Sequence, residues 1–106
     1  MAKYLYQVSY TAEGARGLLR EGGSKRKVAA EHLAKSLGGK LEAFYFAFGE
    51  ADLFLILDAP DNVSAAAGSL AVAAGGAVTI KTTVLLTPEE IDEAVKKDVA
   101  YRPPRG

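Results

Sequence analysis

No cysteine occurs in the 106 residues, so disulfides, thiolate metal sites and cysteine nucleophiles are excluded, and a reducing compartment fits without being required. A single histidine, His32, rules out histidine-cluster metal sites and any chemistry needing two imidazoles within one subunit. Net charge is missing too: 13 Lys+Arg balance 13 Asp+Glu, leaving no field to draw the chain onto nucleic acid or an anionic membrane. No apolar run reaches signal-peptide or membrane-spanning length, and Met1-Ala2-Lys3-Tyr4 passes straight into a strand pattern, so a soluble, cytoplasmic protein is expected. A Ser-His-Asp order, zinc-ligand spacing and a dinucleotide fingerprint are all absent. Gly14-Ala15-Arg16-Gly17 and Gly22-Gly23-Ser24-Lys25-Arg26-Lys27 have the glycines of a phosphate loop but not its Gly-Lys-Ser/Thr. The Ser24 to Lys27 run reads as a solvated helix start able to hold an anion from a partner. No metal and no cofactor are expected.

What is present is regular patterning. A chain of this length that is 49% hydrophobic supports one core, so residues 1–106 are read as a single domain with a loosely ordered tail over 100–106. Residues 3 to 10 set Tyr4, Tyr6, Val8 and Tyr10 against Leu5, Gln7 and Ser9, the period-2 mark of a strand. Between Thr11 and Gly39 lies one interrupted helix: Gly22-Gly23 break it, Ser24 caps the second piece, and Ala30, Leu33, Ala34 and Leu37 form its apolar stripe. Gly38-Gly39 supply its left-handed stop. Residues 40–48 and 52–58 read as two strands of a hairpin joined by Gly49-Glu50-Ala51. Asp61 or Asn62 caps an Ala-rich helix over 63–74 that ends at Gly75-Gly76. Residues 77–86 alternate as a fourth strand. Thr87-Pro88-Glu89-Glu90 then opens a short helix to about Val99, with Thr87 as cap and Glu90 as the returning carboxylate.

The order is βαββαβ, the split-βαβ arrangement of ferredoxin-like α+β domains, with a four-stranded antiparallel sheet, helices on one face and a short C-terminal helix added. The second sheet face carries the partner expectation. Phe44, Phe46 and Phe48 oppose Tyr45, and Leu53, Leu55 and Leu57 oppose Phe54 and Ile56, more apolar surface than two helices can bury. Each large apolar side chain gains roughly 1.5–3 kcal/mol on burial, so a homodimer through the sheet face is expected, with higher oligomers through strand edges as an extension.

The stretch Leu37-Gly38-Gly39-Lys40 to Phe44-Tyr45, then Gly49-Glu50-Ala51-Asp52, then Leu55 to Ala59-Pro60-Asp61, resembles the GYD-domain family over residues 4 to 90. That family is similar to other dimeric α/β-barrel proteins with ferredoxin-like subunits, and the resemblance implies a fold more than an activity. Gly49 and Asp52 stand where the family's signature has them, while Ala51 stands where its tyrosine would fall.

Three side chains are candidates for proton chemistry. Asp52 either bonds turn amides beside a Gly49 of positive φ, or stands at the mouth of a cleft as acid, base or ligand anchor. Lys81, a charge in mid-strand, either pairs with Asp58, Glu42 or Asp52 or takes part in catalysis. His32 lies beside the apolar stripe, facing solvent or shuttling a proton. Tyr6, Tyr10, Tyr45 and Phe54, with Tyr4, either line an aromatic pocket for a small apolar ligand or form core and dimer interface. Three functions follow: a homodimeric small-molecule-binding or regulatory module, a cofactor-free oxidoreductase or isomerase, and a structural oligomerisation module. A cavity with Asp52 or Lys81 pointing inward separates them.

Overall fold

A computed structural model describes residues 1–104; the expected loose tail reaches Arg105 and Gly106, which lie outside the described residues. The alternating and β-branched runs become β1 (Ala2–Tyr10), β2 (Lys40–Phe46), β3 (Leu53–Ala59) and β4 (Val78–Leu85). They pair antiparallel in the order β2-β3-β1-β4, the ferredoxin-like sheet the βαββαβ order implies. The first long crossover holds α1 (Ala12–Glu21) and α2 (Gly23–Ser36), the second α3 (Asn62–Ala74), and α4 (Pro88–Ala94) follows β4.

Register decides the faces. Tyr4, Tyr6 and Val8 sit opposite Leu57, Leu55 and Leu53 on β3, and Leu41, Phe44 and Phe46 of β2 join the same side. The tyrosines, Val8 and the three leucines build one core with Ala34 of α2, Ala65 of α3 and Val78 of β4; Leu41 and Phe44 pack against it, while Phe46 at the strand end is exposed. The phenols fasten the two layers: Tyr6 Oη donates to the Ala65 carbonyl and Tyr4 Oη to Asn62 Oδ1, both at 2.6 Å. A buried phenol with its hydroxyl satisfied adds apolar area without an orphaned polar atom.

Local signals explain the helix ends. Thr11 caps α1 through the Gly14 amide, and Asp61 caps α3 through the Ser64 amide at 2.8 Å, which holds the Asp61 carboxyl below the usual carboxylate range. Thr87 and Glu90 form the expected capping box at α4. Four readings are corrected. Ser24 is not a cap: Gly22, at φ +81°, turns the chain between α1 and α2 and offers α2 no side-chain bond. The short helix ends at Ala94, well before Val99. Gly49 is not among the positive-φ glycines, which are Gly22, Gly38 and Gly76. Leu53, Leu55 and Leu57, counted toward an unburied surplus, are buried by α2 and α3 within one chain.

The apolar content of the other face is therefore smaller than the sequence implied, and more localised. Leu5, Ala43, Ile56 and Leu85 are half-buried there, while Tyr45 and Phe54 are exposed. Phe48, beyond the end of β2, is fully exposed and belongs to neither face. Every residue of α4 is exposed, and the radius of gyration of 16.9 Å exceeds the roughly 13 Å of a compact domain of this length. The C-terminal segment extends away from the body.

Candidate functional site

A cavity of about 200 Å³ lies between the helix face of the sheet and the helices. Tyr6, Val8 and Tyr10 of β1 form its floor with Leu53 and Leu55 of β3, Phe44 of β2, and Val78 and Ile80 of β4. Ala29, Ala30 and Leu33 of α2 and Val72 of α3 form its roof. The hollow exists because the helix residues above it are small: alanines at 29 and 30 stand where bulkier side chains would fill the gap between crossing layers. Its wall is apolar apart from two phenols and the Arg26 guanidinium.

Arg26 is half-buried, in the first turn of α2, a turn that contains no acidic residue. Its Nη1 lies 3.5 Å from Glu21 Oε1, and its guanidinium shares the cavity wall with the Tyr10 phenol. Burial pushes the Tyr10 phenol up, with Arg26 pulling the other way; burial also raises Tyr6, helped by its neighbour Tyr4. Both phenols are therefore neutral donors at physiological pH.

The sequence candidates fall in different places. Tyr6 and Tyr10 line the cavity, but Tyr45 and Phe54 face each other on the opposite side of the sheet, so the five aromatic residues do not share one pocket. Strand pleat forbids it, since neighbours one residue apart in β3 point to opposite faces. Asp52 does not line the cavity. Its Oδ2 accepts from the Tyr10 amide at 2.8 Å, its own amide donates to the Val8 carbonyl and its carbonyl accepts from the Ala47 amide. The carboxylate thus bonds the end of β1 rather than turn amides. His32 is exposed on α2 and takes no part.

Lys81 is exposed on the open face opposite Gln7, and among the described residues no carboxylate lies within ion-pair distance of it. Two of the three partners expected for it are held by another lysine, Lys3 Nζ donating to Asp58 Oδ1 at 2.9 Å and Glu42 Oε1 at 3.0 Å, and the third, Asp52, accepts from the Tyr10 amide. Asp58 and then Glu42 raise the Lys3 pKa. Lys81 does border a second hollow of about 170 Å³ with Gln7, Ser9, Glu50 and Ala51, the position where the signature tyrosine would fall.

The GYD domain family model matches residues 4–95, which span all four strands and end beyond α4. The chain belongs to the GYD-domain family. No curated protein and no solved structure matches the chain. Among the described residues of this GYD domain, no group of three or more His, Asp or Glu is placed to hold a metal ion, and no helix is long and apolar enough to cross a membrane.

Arg26 is the site residue that sequence reasoning missed, assigned to a solvated run. The signal was present: 26, 30, 33, 34 and 37 continue one helical stripe, and extending it a turn toward the N-terminus places Arg26 over the cavity.

The phenols also give a pH prediction. Tyr6, Tyr10 and Lys3 all titrate higher in the folded chain than in the unfolded one. The unfolded state therefore loses protons first on going alkaline. Their contribution is fully present below about pH 10 and is lost as pH rises through the folded values. Thermal melts should be flat with respect to these groups near neutrality and fall above about pH 10, and phenolate absorbance should show Tyr6 and Tyr10 ionising late. Simultaneous titration of all five tyrosines at the ordinary value would contradict this.

Proposed function

We propose that this GYD domain is a homodimeric small-molecule-binding module, its ligand held in the cavity between sheet and helices and its second copy on the open sheet face. The observation that carries the reading is the cavity itself, apolar in its body, with Arg26 and the Tyr10 phenol on its wall. Such concavity with a few converging polar groups is the general form of a ligand site. An engineered apolar hollow of roughly 150 Å³ already accepts a benzene-sized guest.

The dimer rests on separate ground. Leu5, Ala43, Ile56, Phe54, Tyr45 and Leu85 cross all four strands on a face no helix covers. Covering it with the same face of a second copy gives a closed, isologous pair and excludes water from both.

Toluene tests the cavity without involving any head group. Titrated into the chain, it is expected to shift the amide NMR signals of Ala30, Leu33, Val72 and Ile80 while leaving His32 and Lys81 unmoved. Ala30→Phe, which fills the hollow from the roof, is expected to abolish those shifts at a cost of about 1–3 kcal/mol in stability. Toluene shifts confined to the open face, around Phe54 and Tyr45, would overturn the placement.

A further inference from the structure

Among the residues of the cavity wall, Arg26 alone bears a formal charge, and no carboxylate and no lysine lines the hollow with it. A guanidinium stays protonated under all ordinary conditions and carries five N–H donors in a planar fork. Here those donors are largely uncommitted. One end lies at 3.5 Å from Glu21, long for a charge-assisted hydrogen bond, and both side chains of that pair are partly open to solvent. The Tyr10 phenol lines the same wall, and burial keeps it protonated.

Two properties of a ligand follow. Its body must be apolar and small, since about 200 Å³ bounded by Val8, Leu33, Phe44, Leu55 and Val72 suits a single ring or a short alkyl chain. Its head meets a fixed positive charge at the edge of a low-dielectric hollow, where an anion is attracted more strongly than at an open surface and a cation is repelled. A planar oxyanion also matches the guanidinium fork in two parallel bonds.

Building on the reading of this cavity as the binding site, we infer that its ligand is a small organic anion, a one-ring or short-chain carboxylate whose body fills the hollow and whose carboxylate sits on Arg26, with Tyr10 as second donor. Glu21 occupies the same guanidinium in the empty site and gives way when the carboxylate arrives. Removing Glu21 therefore strengthens binding.

The test uses three compounds with the same ring and nearly the same length but different heads: phenylacetate, 2-phenylethanol and phenethylamine, titrated calorimetrically into the full chain. Phenylacetate is expected to bind about tenfold or more tighter than the alcohol, and the amine weakest, as suits a charged hydrogen-bonded pair. Arg26→Gln should bring phenylacetate down to the affinity of the alcohol while leaving the alcohol unchanged, and Glu21→Gln should tighten phenylacetate alone. Equal affinities for acid and alcohol, or an Arg26→Gln chain that keeps its acid preference, overturn the anion inference and leave the cavity reading standing. Failure of all three compounds together with toluene overturns both.

Discussion

Gly39→Ala is expected to abolish cooperative folding or to lower the melting temperature by about 20 °C or more, a loss on the order of 4 kcal/mol in a domain of this size. The cause is steric. A Cβ at Gly39 would overlap the Asp58 carbonyl oxygen and lie 2.8 Å from its carbon and 3.2 Å from the Ala59 Cα. All of these are backbone atoms of β3, which is paired on both sides: Lys40 opposes Asp58 from β2, and Ala2 and Lys3 oppose Ala59 and Asp58 from β1. Relief requires β3 to move, and movement breaks the centre of the sheet together with the Lys3–Asp58 ion pair at 2.9 Å. Gly49→Ala is the matched control. A Cβ there meets nothing within 4 Å and the backbone is not in the left-handed region, so the change should stay within about 0.5 kcal/mol. Circular-dichroism melts of the two variants decide the matter, and a Gly39→Ala chain melting within a few degrees of the parent would refute the argument.

That contrast shows where sequence reading succeeds and where it stops. Helix ends marked by local chemistry were legible, because Asp61 with Ser64, and Thr87 with Glu90, act over three residues. The faces of β1 and β3 were legible from pleat alone, since Tyr4, Tyr6 and Val8 on one strand and Leu53, Leu55 and Leu57 on the other repeat with period two. Glycines were not, because a glycine required by close approach looks like one required by a turn. Gly49 carries a family signature and has free space around it, whereas Gly14 and Gly39 press on the backbones of Ala77 and Asp58 in distant elements. The Gly14-Ala15-Arg16-Gly17 segment is accordingly a packing contact between α1 and the entry to β4 rather than a phosphate loop.

The candidate site was legible in part, for the same reason. Tyr6 and Tyr10 reached the cavity because strand alternation places them on the helix face. Tyr45 and Phe54 did not: the same alternation sets Phe54 on the face opposite Leu53 and Leu55, and Tyr45 pairs with it there rather than over the cavity. Lys81 failed as an ion-pair partner for a related reason: register sets Lys3 directly opposite Asp58, and Lys81 opposite Gln7. A charge in a strand announces that it needs a partner or solvent, and only the pairing of strands says which.

The same register identifies the residue on which the proposed dimer depends. Ile56 lies on the open face between Leu5 on β1 and Ala43 on β2, with Phe54 and Tyr45 beside it. In a single chain a lysine at 56 lies along that surface and extends its ammonium to water, so Ile56→Lys should leave the fold nearly intact. In an isologous pair the substitution occurs twice at the centre of the interface, and each ammonium loses its water without a partner. An uncompensated buried charge costs several kcal/mol, commonly about 3–5 when a pair is broken, so the association constant should fall by roughly a thousandfold or more. Sedimentation velocity at micromolar concentration is expected to show a dimer for the parent chain and a monomer for Ile56→Lys, with the two far-ultraviolet spectra superimposing. Thr79→Lys, on the same face but at the exposed margin of the edge strand, should remain dimeric. A parent chain that sediments as a monomer would overturn the dimer, and an Ile56→Lys chain that sediments as a dimer would place the second copy elsewhere. The exposed α4 and the segment after it, where Ile91 and Val95 follow one another at helical spacing, would then be the next apolar surface to test.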